Sequence, residues 1–376
     1  MKYPASPATP QISGSSRSND AKEIAKGQRI ATFHEGLHAD VDAKDKGDLR
    51  HVLNAKKTPR QIEADELCGL SITSMKIIVL VMVALLVLGC IGPVICEIDD
   101  GDAKVFDDNF KVMWAEDHVR TSENGHVWHL SLDQKSGSGF QSKHKYRFGW
   151  FSMKLKLVPG DSAGVVTAYY MSSNNEMNRD ELDFEFLGNR SGEPYALQTN
   201  IYAKGTGGRE QRHILWFDPT EDFHTYSILW NTHQIVFFAD QIPVRVHRHT
   251  KATTHVFPRE QGMFMFSSIW NADDWATRGG LEKTNWASAP FVSSYKKFHA
   301  VGCKWEDSYP ACNSTTAETE KWWDEPVAWS LNDKQKIDYR WVRSKYMVYD
   351  YCYDKTRFST QPVECSVAPW GTDIKI

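Results

Sequence analysis

The sequence has almost no charge imbalance: 44 basic against 48 acidic side chains leave a formal charge of −4. A nucleic-acid binder that works by neutralising phosphates needs a basic surplus, so that class is excluded. Residues 1–76 contain no tryptophan and a single cysteine, and residues 77–96 contain no charge at all. No CxxC pair occurs among the seven cysteines, which argues against a zinc site, and no metal or other cofactor is expected. No internal repeat is present. A mean hydropathy of −0.50 excludes a polytopic membrane protein, and 41% hydrophobic residues exclude a wholly disordered chain.

What is present falls into three zones. Residues 1–76 mix 12 basic and 10 acidic side chains with Ser and Pro and show little hydrophobic periodicity. Such a segment buries too little apolar area to offset its ordering entropy and is expected to be a disordered tail. A cytosolic arm and an upstream extension of the gene model are both open. Residues 77–96, IIVLVMVALLVLGCIGPVIC, are long enough to span a bilayer as a helix. Read from Met75 they also form a secretory signal, with Lys76 in front, Gly92 and Pro93 behind, and cleavage near Cys96–Glu97. Either reading exports everything after Glu97; they differ on whether a single-pass type II tether remains.

All 14 tryptophans lie after Glu97, in a zone with 32 basic and 38 acidic residues. Alternating segments at 150–157, 163–171, 181–187, 196–202, 214–217, 224–231, 233–239, 242–246 and 263–270 read as strands. Short strands at this spacing predict an all-β jelly-roll sandwich of two antiparallel sheets. One helix is expected near the end, Asn332–Ser344, capped by Asn332 or Asp333. The expected division is a catalytic domain at 97–300 and an extension at 301–376.

The sharpest local feature is Asp180-Glu181-Leu182-Asp183-Phe184-Glu185-Phe186-Leu187-Gly188. On a strand, Glu181, Asp183 and Glu185 share one face and Leu182, Phe184 and Phe186 the other. A solvated edge strand would not carry that apolar face, and no nearby loop completes an oxygen cage for calcium. A retaining glycosidase needs a nucleophilic carboxylate and an acid/base carboxyl about 5–5.5 Å apart. Glu181 and Glu185 have Cα atoms about 13 Å apart on a regular strand, and two long side chains on a concave strand can close that gap. Trp275 and then Trp270, beside Asn and Asp, are the first candidates for sugar platforms; Tyr169, Tyr170 and Phe140 are others. His247-Arg248-His249 reads as an exposed strand end.

DELDFEFLGNRSG, with SGSGFQSK, LQTNIY, GREQR, WFDPTEDFHTYSILW and WNADDWATRGGL, resembles the plant xyloglucan endotransglucosylase/hydrolase family of family-16 glycoside hydrolases. The resemblance runs from about Phe106 to Cys365. It implies Glu181 as nucleophile, Glu185 as acid/base and Asp183 as the helper between them. It implies xyloglucan contacts at Gln198, Thr199, Asn200, Gly208, Arg209, Glu210, Asp274, Trp275, Gly279 and Arg357. It favours disulfides Cys303–Cys312 and Cys352–Cys365, and Asn189 as the glycosylated sequon rather than Asn313. Two departures stand out: Arg179 replaces a usual His, and Gly208 a usual Asp or Asn. The implied activity is transfer between xyloglucan donor and acceptor chains by a monomeric, secreted wall enzyme. Xyloglucan hydrolysis and a non-catalytic, membrane-anchored glycan binder are the alternatives.

Overall fold

The computed structural model describes residues 105–173, 177–305 and 321–370. The expected tail, the apolar segment at 77–96, Cys312 and Asn313 lie outside the described residues.

Helix α1 (Phe106–Asn109) leads into strands β1 (Phe110–Trp114), β2 (Val119–Ser122), β3 (Val127–Leu132) and β4 (Ser138–Lys156). There follow β5 (Val165–Ser172), β6 (Glu181–Leu187), β7 (Ala196–Tyr202), β8 (Gln211–Ile214) and β9 (His224–Trp230). Next come β10 (Gln234–Ala239), β11 (Ile242–Arg248), β12 (Met263–Asn271), β13 (Phe291–Trp305), α2 (Asp333–Lys345) and β14 (Met347–Asp350). The strand spans expected at 181–187 and 196–202 are found with the same bounds. The one expected at 214–217 is not: β8 ends at Ile214. Trp216 and Phe217 leave the sheet because their rings pack elsewhere, Trp216 on Trp341 and Tyr346, Phe217 flat on His224.

The expected pair of sheets is found as two arms of one antiparallel network. One arm runs β4-β12-β5-β6-β7-β8-β14 and the other β11-β10-β9-β4. The 19-residue β4 belongs to both. Its Tyr146 pairs with Met263 of β12, while Gly149 pairs with Trp230 of β9. Between these contacts Phe148 (φ 68°) and Gly149 (φ 147°) turn the strand from one arm to the other. Glycine is required at 149, since a Cβ there would lie 2.6 Å from the Val301 carbonyl oxygen. At its N-terminal end β4 also carries β1, and β13 pairs with both β3 and β4.

The arms face each other across an aromatic core, which makes the fold a sandwich. Leu182, Phe184 and Phe186 of β6 are fully buried. Phe184 meets Phe237 of β10 at 5.0 Å between centroids, and Phe186 meets Tyr226 of β9 at 4.6 Å. Each such ring contributes about 2–3 kcal/mol by leaving water. The other side of β6 is thereby turned away from the core. Beyond β8, strand β14 covers what would otherwise be an open edge. Asn332 caps α2 as expected: its side chain accepts from the Gln335 N–H at 2.9 Å, and the Gln335 side chain accepts from the Asn332 N–H at 3.0 Å.

His247 is buried rather than an exposed strand end. Its ring stacks on Phe257, its Nε2 lies 3.1 Å from the Val256 carbonyl, and burial pushes its pKa down to about 3.

Candidate active site

The alternation of β6 puts Glu181, Asp183 and Glu185 on the side away from the core, and the register of its neighbours completes the surface. Residues paired directly across antiparallel strands share a face. Ser172, Tyr170 and Ala168 of β5 stand opposite Glu181, Asp183 and Glu185, and Tyr202, Asn200 and Gln198 of β7 flank them on the other side. Phe266 of β12 lies opposite Tyr170, their rings stacked at 5.0 Å. Arg212 of β8 lies opposite Gln198, and its guanidinium sits 5.7 Å from the ring of Tyr349 on β14. Carboxylates are thus ringed by aromatic faces and amide or guanidinium donors.

Two polar relays hold the end carboxylates. Arg212 Nε donates to Gln198 Oε1 at 2.5 Å, which orients the amide so that Gln198 Nε2 donates to Glu185 Oε2 at 2.5 Å. Arg179 Nε lies 3.2 Å from Glu181 Oε2, and its guanidinium carbon is 4.6 Å from the centre of the Tyr202 ring.

The electrostatics separate the three groups. Burial pushes the Glu185 carboxyl up to about 7; the Gln198 donor opposes the shift, and the charges of Glu181 and Glu210 add to it. Asp183 is raised well above the ordinary range by burial and then by the carboxylates on both sides. Burial also raises Glu181, but here the Arg179 charge and a hydrogen bond from Ser172 favour the ionised form. Pairs of carboxyl groups whose surroundings push them apart in acidity are how one site supplies both a proton donor and an anion. All three carboxyls here are raised by burial; what opposes it at Glu181 is the Arg179 charge and the Ser172 hydrogen bond.

The other sequence candidates divide. Gln198 and Asn200 lie on the carboxylate face, but Thr199 does not. Its side chain is buried on the core face, where its carbonyl and hydroxyl oxygens accept from Arg245 Nη1 at 3.0 and 3.2 Å. Consecutive strand residues point to opposite faces, so Gln198, Thr199 and Asn200 cannot all meet one ligand. Arg209 is likewise buried and occupied: its Nε donates to Glu364 Oε1 at 2.6 Å, and its Nη1 donates to backbone carbonyls of Ile201 and Thr206. Asn200 Oδ1 accepts from the backbone N–H groups of Ile201 and Arg209, fixing the segment that follows. Glu210 and Arg357 form a bidentate ion pair beside Gly208, whose φ of +81° suits glycine.

At the other end, Trp270 stands opposite Val166, which itself stands opposite Leu187, two residues past Glu185 on the same face. Trp270 and Trp275 both pack on the small cluster of Val166, Leu187, Ala272 and Ala276 and are half-buried. Asp274 and Gly279 are exposed in the loop beyond. Of the further platform candidates, Tyr170 shares the outer face, whereas Tyr169 and Phe140 are fully buried in the core. The Asn189 side chain is half-buried and donates to the Pro194 carbonyl at 3.0 Å.

Cys352 and Cys365 are joined, as expected, with Cα atoms 5.5 Å apart. Cys303 is also in a disulfide, and its expected partner Cys312 lies outside the described residues. A Cys352→Ser/Cys365→Ser double variant is expected to lose about 3 kcal/mol of stability, read as a lower urea midpoint.

Sequence reasoning missed Arg212, Tyr202, Ser172 and Arg245. Arg212 was within view, since GREQR belongs to the resemblance; what pointed to it was the pairing of that segment with LQTNIY, not its composition.

The sandwich and the carboxylate row define a carbohydrate-active β-sandwich enzyme. Residues 106–288 match Glycosyl hydrolases family 16, and residues 317–365 match the Xyloglucan endo-transglycosylase (XET) C-terminus. The chain is 63% identical to "Probable xyloglucan endotransglucosylase/hydrolase protein 8" of Arabidopsis thaliana over 270 residues, which is 71% of this chain and 88% of that one. It is 52% identical to "Xyloglucan endotransglucosylase protein 2" of Diospyros kaki over 260 residues, 69% of this chain and 87% of the relative. Among solved structures, a Bacillus licheniformis β-glucanase superposes with a TM-score of 0.44 at 20% identity, covering 54% of this chain and 99% of that one. The chain belongs to the xyloglucan endotransglucosylase/hydrolase family within glycosyl hydrolases family 16.

Proposed function

We propose that this chain cuts β-1,4-glucosyl bonds in the backbone of xyloglucan by a retaining double displacement and passes the glycosyl group to a second xyloglucan chain. Glu181 attacks the anomeric carbon while the Glu185 carboxyl protonates the departing 4-oxygen, leaving a glycosyl ester on Glu181. Glu185, now ionised, takes the proton from the 4-hydroxyl of an acceptor chain, whose oxygen displaces Glu181. Asp183, its acidity lowered first by burial and then by the two carboxyls beside it, is the helper between them.

The observation that carries this reading is Glu185: a buried carboxyl pushed up to about 7 and aimed by Gln198, on the same strand face as a second carboxyl faced by a guanidinium. Trp270 and Trp275 serve as sugar platforms on one side of the carboxylates. Gln198, Asn200, Gly208, Glu210 and Arg357 line the other, where β14 extends the catalytic domain into its C-terminal extension. The Cys352–Cys365 disulfide and the sequon at Asn189 support work outside the cytosol, in the wall, as a secreted or membrane-tethered protein.

Incubation with polymeric xyloglucan and a fluorescently labelled xyloglucan oligosaccharide tests the assignment. The label is expected to move into high-molecular-mass material. Falling polymer mass without label incorporation would make the protein a hydrolase instead, and no change in either would refute the substrate.

A further inference from the structure

We propose that Arg179 is a positioning residue that holds Glu181 in its ionised, attacking form through a guanidinium clamped between that carboxylate and the ring of Tyr202. The inference rests on the assignment of Glu181 as nucleophile. Arg179 precedes Glu181 by two residues, so an extended chain delivers both side chains to the same face. The segment is pinned from both sides. The Arg179 carbonyl accepts from the Gly205 N–H at 2.8 Å, the Asp180 side chain accepts from the Lys204 N–H at 2.8 Å, and the Asp180 N–H donates to Ser173 Oγ at 3.1 Å. Tyr202, the platform under the guanidinium, is the residue paired with Glu181 across β6 and β7.

The surroundings give this contact its leverage. The Arg179 and Glu181 side chains are only 19% and 13% exposed, so their attraction is screened far less than a surface pair's. From its own strand Glu181 is faced by Asp183 and Glu185, from β5 by Ser172 and Tyr170, and from β7 by Tyr202. Burial favours a protonated Glu181, which cannot attack; set against it are first the Arg179 charge and then the Ser172 hydrogen bond. Among the described residues the Arg179 Nε–H has no aligned hydrogen-bond acceptor, which leaves charge rather than a directed hydrogen bond as what it supplies to the carboxylate.

The test is the pH profile of kcat on xyloglucan for wild type and for R179Q, R179K and Y202L, with a melting temperature for each. Ionisation of the nucleophile sets the acid limb and protonation of the acid sets the alkaline limb. R179Q is expected to move the acid limb upward by about one pH unit, leaving the alkaline limb in place and KM little changed. Well below the wild-type limb that appears as a loss of up to about tenfold in kcat, regained as pH rises above the shifted limb. R179K, which keeps the charge but loses the planar stack, is expected to fall between the two. Y202L, which loses only the platform, is expected to shift the limb in the same direction by less. A folded R179Q whose acid limb coincides with wild type overturns the inference. If R179Q does not fold, an unshifted limb in both R179K and Y202L overturns it instead. A wild type inactive on xyloglucan at every pH would sink the proposed function on which the inference rests, a result distinct from an active wild type with an unshifted variant.

Discussion

Glu181→Ala is expected to lower turnover on xyloglucan on the order of 10⁴-fold or more while leaving the protein folded. With the carboxylate gone, no covalent glycosyl intermediate forms, and loss of a nucleophile typically removes most of an enzyme's rate enhancement. The fold should tolerate the change, because burial already disfavours the charge of Glu181 and its apolar neighbours Leu182, Phe184 and Phe186 are untouched on the other face. The space vacated also admits a small anion. Added azide is expected to attack an activated glycoside in a single displacement and give a product of inverted configuration. Full turnover by the Ala variant, or azide products of retained configuration, would show that another group attacks.

Glu185→Gln is expected to lower kcat by about 10²–10⁴-fold, the usual contribution of a general acid. The loss should be near the upper end, since a sugar 4-hydroxyl is a poor leaving group without a proton. The alkaline limb of the wild-type profile, expected near pH 7, should disappear in what activity remains.

The same substitution is expected to stabilise the protein, and only on the alkaline side. The folded-state pKa of about 7 lies above the ordinary 4.5, so the folded chain holds this proton more tightly than the unfolded chain does. Stability from this group is therefore fully present below pH 4.5 and is lost as pH rises through about 7. The spread amounts to about 3 kcal/mol at most. Glutamine does not ionise, so the variant should match wild type at pH 4.5 and be the more stable protein at pH 8. Urea unfolding at the two pH values checks this; equal midpoints at pH 8 would mean that Glu185 is not held as an acid. A residue that destabilises the fold where it is charged, yet is required for turnover, is the expected signature of a catalytic group.

Much of the site was legible because β6 and β7 are short, alternate cleanly and end at turn residues. Their alternation also shows that Thr199, placed between Gln198 and Asn200, must face the core, which the resemblance by itself had obscured. The sequence showed only the second half of β4, at 150–157, and nothing of β13. β4 changes sheet at Phe148–Gly149, so its side chains keep no single inside-outside pattern, and β13 serves two partners in turn. Trp216 and Phe217 gave a false strand signal because their apolar surface is spent on Trp341, Tyr346 and His224.

By itself the sequence determined which residues share a face, where all the tryptophan lies and which strand carries the carboxylates. These follow from chain geometry with a period of two and need no knowledge of the partner strands. Only the tertiary structure decided that Arg212 reaches Glu185 through Gln198, that Arg179 is clamped on Tyr202, and that Arg209 is held by Glu364 rather than free for a sugar. It alone decided the acidities too. Three glutamate and aspartate side chains are alike in an open chain, and it is register and burial that make one an acid to about pH 7 and set a cation against another.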